Sequence, residues 1–334
     1  MKKILLSAIA PTGSLTIGNY IGALKNWKDM QGQYDCLFMV VDMHAITVFQ
    51  EPSSLRSRCF SFVAQYLACG IEPKQNTIFI QSHIPAHAEL AWILNCWTNI
   101  GELNRMTQFK NKAKKHSSNI NAGLYVYPVL MASDILLYQT DVVPIGDDQK
   151  QHLELTRDIA VRFNNLHKGV FHIPEPYISK TGARIMSLLD PKRKMDKSDS
   201  NPNNYIALLD EPSVVMKKIK QAITDSGTEI KLDKTKPAIS NLLTIYSCLS
   251  GMTLSELEEK FKNKNYALFK KELAELLIDR LKPIQDRYKK LIDDKNYISA
   301  ILEEGAKKAN ERANKTLRIV QKKVGFIARG KVEG

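Results

Sequence analysis

No stretch of this 334-residue chain approaches the roughly 20 consecutive apolar residues of a membrane-spanning helix, so no membrane anchor is expected. Cysteine is also sparse. Cys36, Cys59, Cys69, Cys96 and Cys248 are odd in number and scattered, without the C-x-x-C spacing of a zinc or redox site. They read as reduced thiols of a cytoplasmic protein. The first ten residues carry two lysines before a minimal apolar run, but Pro11-Thr12-Gly13-Ser14 follows at once and argues against a secretory signal. Two phosphate-binding signatures, G-x-x-x-x-G-K-[ST] and G-x-G-x-x-G, are missing, and so is the G-x-S-x-G elbow of a serine nucleophile. His83 and His87 are four apart, but Pro85 lies between them and no acidic or thiol third ligand is close, so no metal site is expected.

A hydrophobic content of 44% with 25% charged residues is that of a globular chain. Its net charge of +13 is uneven: residues 305–334 hold nine Lys or Arg against two Glu. Such a run attracts a polyanion or forms a solvated helix face. Apolar runs at 4–10, 36–41, 77–81 and 141–145 alternate with helical patterns such as 53–69 and 149–164. This predicts an α/β fold with parallel strands buried on both faces. Ligands of such sheets bind at the carboxyl ends of the strands, so residues 11–19, 42–44 and 146–149 should share a cleft. After Ser198 the pattern turns helical and rich in Lys, Glu and Leu. We therefore expect residues 1–200 to form a catalytic domain and 201–334 a helical one, whose last helix can pack back on the first.

Two short loops stand out. Thr16-Ile17-Gly18-Asn19 follows the first apolar run and opens a helical pattern, a place where backbone N–H groups can hold phosphate. Lys194-Met195-Asp196-Lys197-Ser198 carries two ammonium groups three apart. Alone, the first is also a plain helix start and the second a basic linker. Asp134 lies in the otherwise apolar stretch Leu130-Met131-Ala132-Ser133-Asp134-Ile135-Leu136-Leu137, where an unpaired carboxylate would be costly. Its partner is a ligand donor, a Lys or a backbone amide. An indole N–H, a donor without acceptor capacity, suits a single carboxylate in an apolar slot.

The two loops resemble the HIGH and KMSKS motifs of class I aminoacyl-tRNA synthetases. The resemblance extends through Val41-Asp42-Met43-His44-Ala45-Ile46-Thr47, Gly101-Glu102-Leu103-Asn104-Arg105-Met106-Thr107-Gln108-Phe109-Lys110, residues 130–138 and Gly146-Asp147-Asp148-Gln149-Lys150-Gln151-His152. In this wording the chain looks like the bacterial tryptophanyl members. The resemblance implies a Rossmann-like doubly wound parallel sheet, ATP as substrate with Mg²⁺, L-tryptophan and tRNA(Trp) as partners, and a homodimer. It also implies a helical domain that reads the anticodon.

Carried over residue by residue, Thr16 and Asn19 take the histidine positions of the first motif and Gly18 admits the adenosine. Ala10, Pro11 and Thr12 border the nucleotide. Lys194 and Lys197, with Ser198, face the β- and γ-phosphates, and Ile185 and Met195 border the adenine. Gly146, Asp147 and Asp148 meet the ribose, with Asp148 accepting its hydroxyls. Asp134 receives the indole N–H, with Leu6, His44, Tyr127 and Met131 nearby and Gln108 and Gln149 toward the amino acid's polar end. Lys110, Lys112, Lys114, Lys115 and His116 form a basic segment that is either a solvated loop or a contact to triphosphate or tRNA. Three positions depart from the family wording: Asp196 replaces a Ser, Ala10 a Gln and Leu6 a Phe. The implied activity is tryptophan–tRNA ligation. The alternatives are a tyrosine–tRNA ligase, since a phenol also donates to a carboxylate, and a non-catalytic RNA-binding paralogue.

Overall fold

The computed structural model describes residues 2–107, 120–177 and 184–327. Five parallel strands, β1 (Ile4–Ile9), β2 (Asp35–Val40), β3 (Thr77–Ile80), β4 (Val142–Pro144) and β5 (Glu175–Tyr177), form one sheet in the order β3-β2-β1-β4-β5. This is the doubly wound order, with its reversal between β1 and β4. Four of the strands lie where the apolar runs predicted. β5 was not foreseen: it is three residues long and carries Pro176, which is tolerated at a sheet edge.

Side-chain alternation divides the strands between two cores. Leu5, Phe38, Val40 and Ile78 face one apolar cluster, which also takes in Trp27, Phe62, Leu242, Leu277 and Leu302. Leu6, Leu37, Met39 and Phe79 face the other, with Leu90, Val129, Leu153 and Leu317. Because both faces are covered, the strands read as continuous hydrophobic runs rather than as alternating ones.

Local chemistry sets the helix ends. The Pro52–Ala68 helix starts with Pro at its first position, and the Glu51 carboxylate accepts from Ser53 and Ser54 N–H at 3.1 and 2.7 Å. It ends before Gly70, whose φ of +94° suits the left-handed exit.

Among the described residues after β5, the regular elements are helices, apart from isolated bridges such as the antiparallel one between Met186 and Lys194. The Tyr266–Asp293 helix packs against Pro52–Ala68, and the hydroxyls of Ser61 and Tyr288 meet at 2.9 Å. The Lys295–Lys323 helix crosses β3 so closely that a Cβ on Gly305 would stand 1.8 Å from the Ile78 carbonyl oxygen. Ala309 and Ala313 continue this small-residue face into the second core, and Arg312 pairs with Asp35 at 2.8 Å.

Candidate active site

The carboxyl ends of β1 and β4, beside the reversal of strand order, carry the loops singled out above. After β1 the chain turns through Gly13, whose φ is +62°, and enters the Ile17–Asn19 helix. Thr16 and Asn19 form a capping box. The Asn19 Oδ1 accepts from Thr16 N–H at 3.0 Å and from its hydroxyl at 3.1 Å, while Asn19 N–H donates to Thr16 Oγ1 at 3.3 Å. Thr16 is buried, so its role here is to hold the turn, and the Asn19 carboxamide NH₂ is the donor that remains.

The second loop lies directly over this turn. Residues 185–187 and 193–195 pair as a short antiparallel hairpin: Met195 N–H donates to Ile185 O at 3.0 Å, Ser187 N–H to Arg193 O at 2.8 Å, and Met186 bridges Lys194. Its inner face rests on Gly18, where an added Cβ would lie 3.6 Å from Met195 Sδ and 3.7 Å from Ile185 Cβ. Gly13 is pressed still harder. A Cβ there would come within 1.8 Å of the Lys197 carbonyl oxygen, a backbone atom that cannot swing aside. Ser14 N–H donates to the same oxygen at 3.3 Å, and Ser198 Oγ donates to Thr12 Oγ1 at 3.2 Å. Gly13 was not among the expected site residues. The sequence signal for it was only a glycine in a turn after a strand.

The two lysines have protein partners. Lys197 Nζ donates to the Ala10 carbonyl oxygen and sits 5.1 Å from the centre of the Phe62 ring. Burial brings its ammonium down to about 7, against the opposing pull of the Asp196 carboxylate. Lys194 Nζ reaches across to Asp148 Oδ1 at 2.8 Å, and Gln149 Nε2 donates to Asp148 Oδ2 at 2.9 Å. Burial works against ionising Asp148, but these bonds and the Lys194 charge outweigh it and hold the carboxyl below its ordinary value. Asp196 accepts from Ser198 N–H at 2.9 Å, so one of its oxygens is engaged within its own turn. Pro11 O accepts from Arg58 Nε at 2.8 Å, a support that the sequence did not single out. Gly146 lies beside Asp148, and Asp147 opens the same turn after β4.

Asp134 projects from the Ala122–Leu136 helix into the second core and is 3% exposed. Its Oδ1 accepts from Gln81 Nε2 and from His87 Nδ1, each at 2.7 Å, and its Oδ2 from His44 Nε2 at 2.7 Å. An ionised carboxylate only accepts, so both ring nitrogens facing it carry their hydrogens. The other ring nitrogen of His87, Nε2, pairs with the Tyr138 hydroxyl at 2.8 Å. Burial raises the carboxyl's proton affinity, but the bonds and charges of His44 and His87 prevail and keep it below the ordinary carboxylate value. Thus the partners are two histidines and a glutamine, where sequence reasoning considered a Lys or a backbone amide. His83 lies in the Gln81–His83 turn and His87 in the Ala86–Asn95 helix, so the two histidines do not share a helix face.

A carboxylate has about four lone-pair positions. Among the described residues three are taken, and the fourth is on Oδ2. The His44 ring that shares Oδ2 is met edge-on by Tyr127, centroids 6.2 Å apart, and the Tyr127 hydroxyl is 2.7 Å from His152 Nε2. Leu6 belongs to the second apolar cluster, and the partly buried Met131 packs against it. Gln108, expected beside them, and the basic positions 110–116 lie outside the described residues.

Comparison with known proteins agrees with this geometry. Residues 2–282 match the family described as tRNA synthetases class I (W and Y). The tryptophan–tRNA ligase of Clostridium tetani is 51% identical over 326 residues, covering 98% of this chain and 96% of that protein. Among solved structures, tryptophanyl-tRNA synthetase from Mycoplasma pneumoniae superposes with a TM-score of 0.91 at 37% identity, covering 98% of this chain and 99% of that one. The Campylobacter jejuni enzyme, solved with ADP and tryptophan, gives a TM-score of 0.82 at 31% identity, covering 97% and 100%. By this match, its parallel sheet and its two converging loops, the chain belongs to the class I tRNA synthetases of the W and Y type.

Proposed function

We propose that the chain is a tryptophan–tRNA ligase. It activates L-tryptophan with ATP to tryptophanyl-adenylate and pyrophosphate, then passes tryptophan to the 3′-terminal adenosine of tRNA(Trp). The observation that carries this reading is that, among the described residues, three donors meet the buried Asp134 carboxylate and one acceptor position is left on Oδ2, on a helix whose neighbours Ala132 and Ile135 lie in the second apolar cluster. An indole N–H fills it, whereas phenylalanine would leave it unpaired.

In the first step an oxygen of the tryptophan carboxylate attacks the α-phosphorus of ATP in line, and the bond to the departing pyrophosphate breaks. No protein nucleophile takes part, so catalysis rests on positioning and on neutralising charge. Gly18, Ile185 and Met195 together border the adenosine. Asp148 accepts the ribose hydroxyls, and Lys194, displaced from Asp148 by them, becomes available to the β- and γ-phosphates. Lys197 leaves the Ala10 carbonyl for the same phosphates, taking up a proton as it does so. Mg²⁺ would be carried by the triphosphate oxygens themselves, with few protein ligands. There it would offset phosphate charge. In the second step the terminal 2′-hydroxyl of the tRNA takes the acyl group and AMP leaves.

The Lys and Arg excess of the C-terminal helices supports an anticodon-reading role for residues 201–334. A homodimer is supported by exposed apolar side chains around the start of the Ala122–Leu136 helix: Ile46, Phe49, Ile100, Ile120 and, on the neighbouring Ala86–Asn95 helix, Trp92. No helix among the described residues is long and apolar enough to cross a membrane, which is compatible with translation in the cytoplasm. Pyrophosphate exchange into ATP, run with tryptophan, tyrosine, phenylalanine or no amino acid, tests the reading. Exchange with tryptophan alone is expected. Exchange with tyrosine would move the assignment to the sister ligase, and none with any would leave an RNA-binding paralogue.

A further inference from the structure

We propose that Asn241, on the Pro237–Ser250 helix of the C-terminal part, is a positioning residue for the nucleotide site, acting by clamping the backbone of Met186. In the 185–187/193–195 hairpin, the Ile185 C=O and Ser187 N–H face inward and bond the other arm. The N–H and C=O of Met186 therefore face outward, as alternate residues of an antiparallel pair do. Both meet the same side chain. Met186 N–H donates to Asn241 Oδ1 at 2.8 Å, and Asn241 Nδ2 donates to Met186 O at 2.9 Å.

A carboxamide is one of the few side chains that offer an acceptor and a donor together, so Asn241 stands in for one residue of a third strand. Two-stranded hairpins are marginal alone, and this one carries Lys194 and Met195. Asn241 is itself fixed: it is 6% exposed, and Ile239, Leu242, Leu243 and Ile245 anchor its helix in the first core. On the opposite side, Ile185 and Met195 bear on Gly18. Backbone bonds at Leu188, to Asn204 O and from Ile223 N–H, both at 3.0 Å, fix the foot of the hairpin but not its height over Gly18. The clamp thus joins the helical core to the adenine face of the site.

This inference rests on the reading of the site as the one that activates tryptophan with ATP. Its test measures KM for ATP and for tryptophan separately in pyrophosphate exchange, together with melting temperature, in wild type, Asn241→Leu and Leu243→Ala. Leu243 lies on the same helix, fully buried in the core, and reports destabilisation without loss of the clamp. Asn241→Leu keeps the branched shape and the number of heavy atoms but removes both bonds. It is expected to raise KM for ATP about ten-fold or more. KM for tryptophan should stay within about two-fold, and Leu243→Ala should lower the melting temperature with KM for ATP little changed. An unchanged KM for ATP in Asn241→Leu, or an equal rise in Leu243→Ala, would overturn the proposal. Should Asn241→Leu fail to fold, Asn241→Asp keeps the acceptor and loses the donor, and the same split is expected of it. If wild type shows no exchange, the functional reading fails, while hydrogen–deuterium exchange still decides the clamp. Faster exchange of residues 184–196 in the variant, with residues 122–136 unchanged, supports it, and no difference overturns it.

Discussion

Asp134→Asn isolates the contribution of the indole bond, because the rest of the Asp134 network can survive the change. The new Oδ1 can face Gln81 and His87, preserving both 2.7 Å bonds. The new NH₂ then occupies the Oδ2 position. There it meets His44, whose ring can offer a lone pair by exchanging tautomers. An indole has no such option: its N–H now faces another N–H. The loss is one hydrogen bond to a charged group, about 1.5–3 kcal/mol. At about 1.4 kcal/mol per factor of ten, kcat/KM for tryptophan should fall roughly 10- to 150-fold. KM for ATP should hold within about two-fold, since the groups proposed for the nucleotide lie at Asp148 and the hairpin. A tryptophan analogue with sulfur in place of the indole N–H completes the cycle. Wild type should discriminate against it by a factor similar to the mutational loss, and Asp134→Asn should not. An equal loss on both substrates would refute the bond and assign Asp134 a purely structural part.

Gly13→Ala places a β-carbon against the Lys197 carbonyl and requires φ near +62° from alanine, so the loop bearing Lys197 must shift. We expect exchange kcat to fall about ten-fold or more with KM for tryptophan retained, and unaltered kcat would show that the loop tolerates the displacement. Lys197 titrates near 7 where it lies against Ala10 O, and the triphosphate would return it to its charged form. At pH 8 ATP binding should therefore take up about one proton, an uptake that fades toward pH 6 and is absent in Lys197→Gln; calorimetry in buffers of different ionisation enthalpy measures it. Gly305→Ala drives a methyl into the Ile78 backbone beneath the Lys295–Lys323 helix. A destabilisation of about 3 kcal/mol is expected, and an unshifted calorimetric melting transition would contradict the close contact.

What the sequence disclosed and what it withheld divide along a physical line. Strands buried on both faces must be apolar throughout, so β1 to β4 announced themselves, while the edge strand β5, only three residues long and interrupted by Pro176, had neither length nor period to detect. The loops at Thr16 and Lys194 were visible as short, contiguous words, which is how the phosphate chemistry proposed for them would confine them. Asp134 drew notice as a carboxylate among apolar residues, but Gln81 and His87 lie 53 and 47 positions away from it. Which groups face it depends on how the Ala86–Asn95 helix packs on Ala122–Leu136, and no local pattern encodes that. Gly13 and Gly305 were opaque for a related reason. Their necessity comes from a backbone oxygen in a distant segment, Lys197 in one case and Ile78 in the other. Asn241 extends the same argument: its amide is indistinguishable in sequence from any polar residue on a helix, and its significance appears only once the outer edge of the 185–187 strand is found beside it. Residues proposed to touch ligands are thus the legible ones, because ligand chemistry restricts their type. Those that fix the height and angle of the loops are recognised by geometry alone.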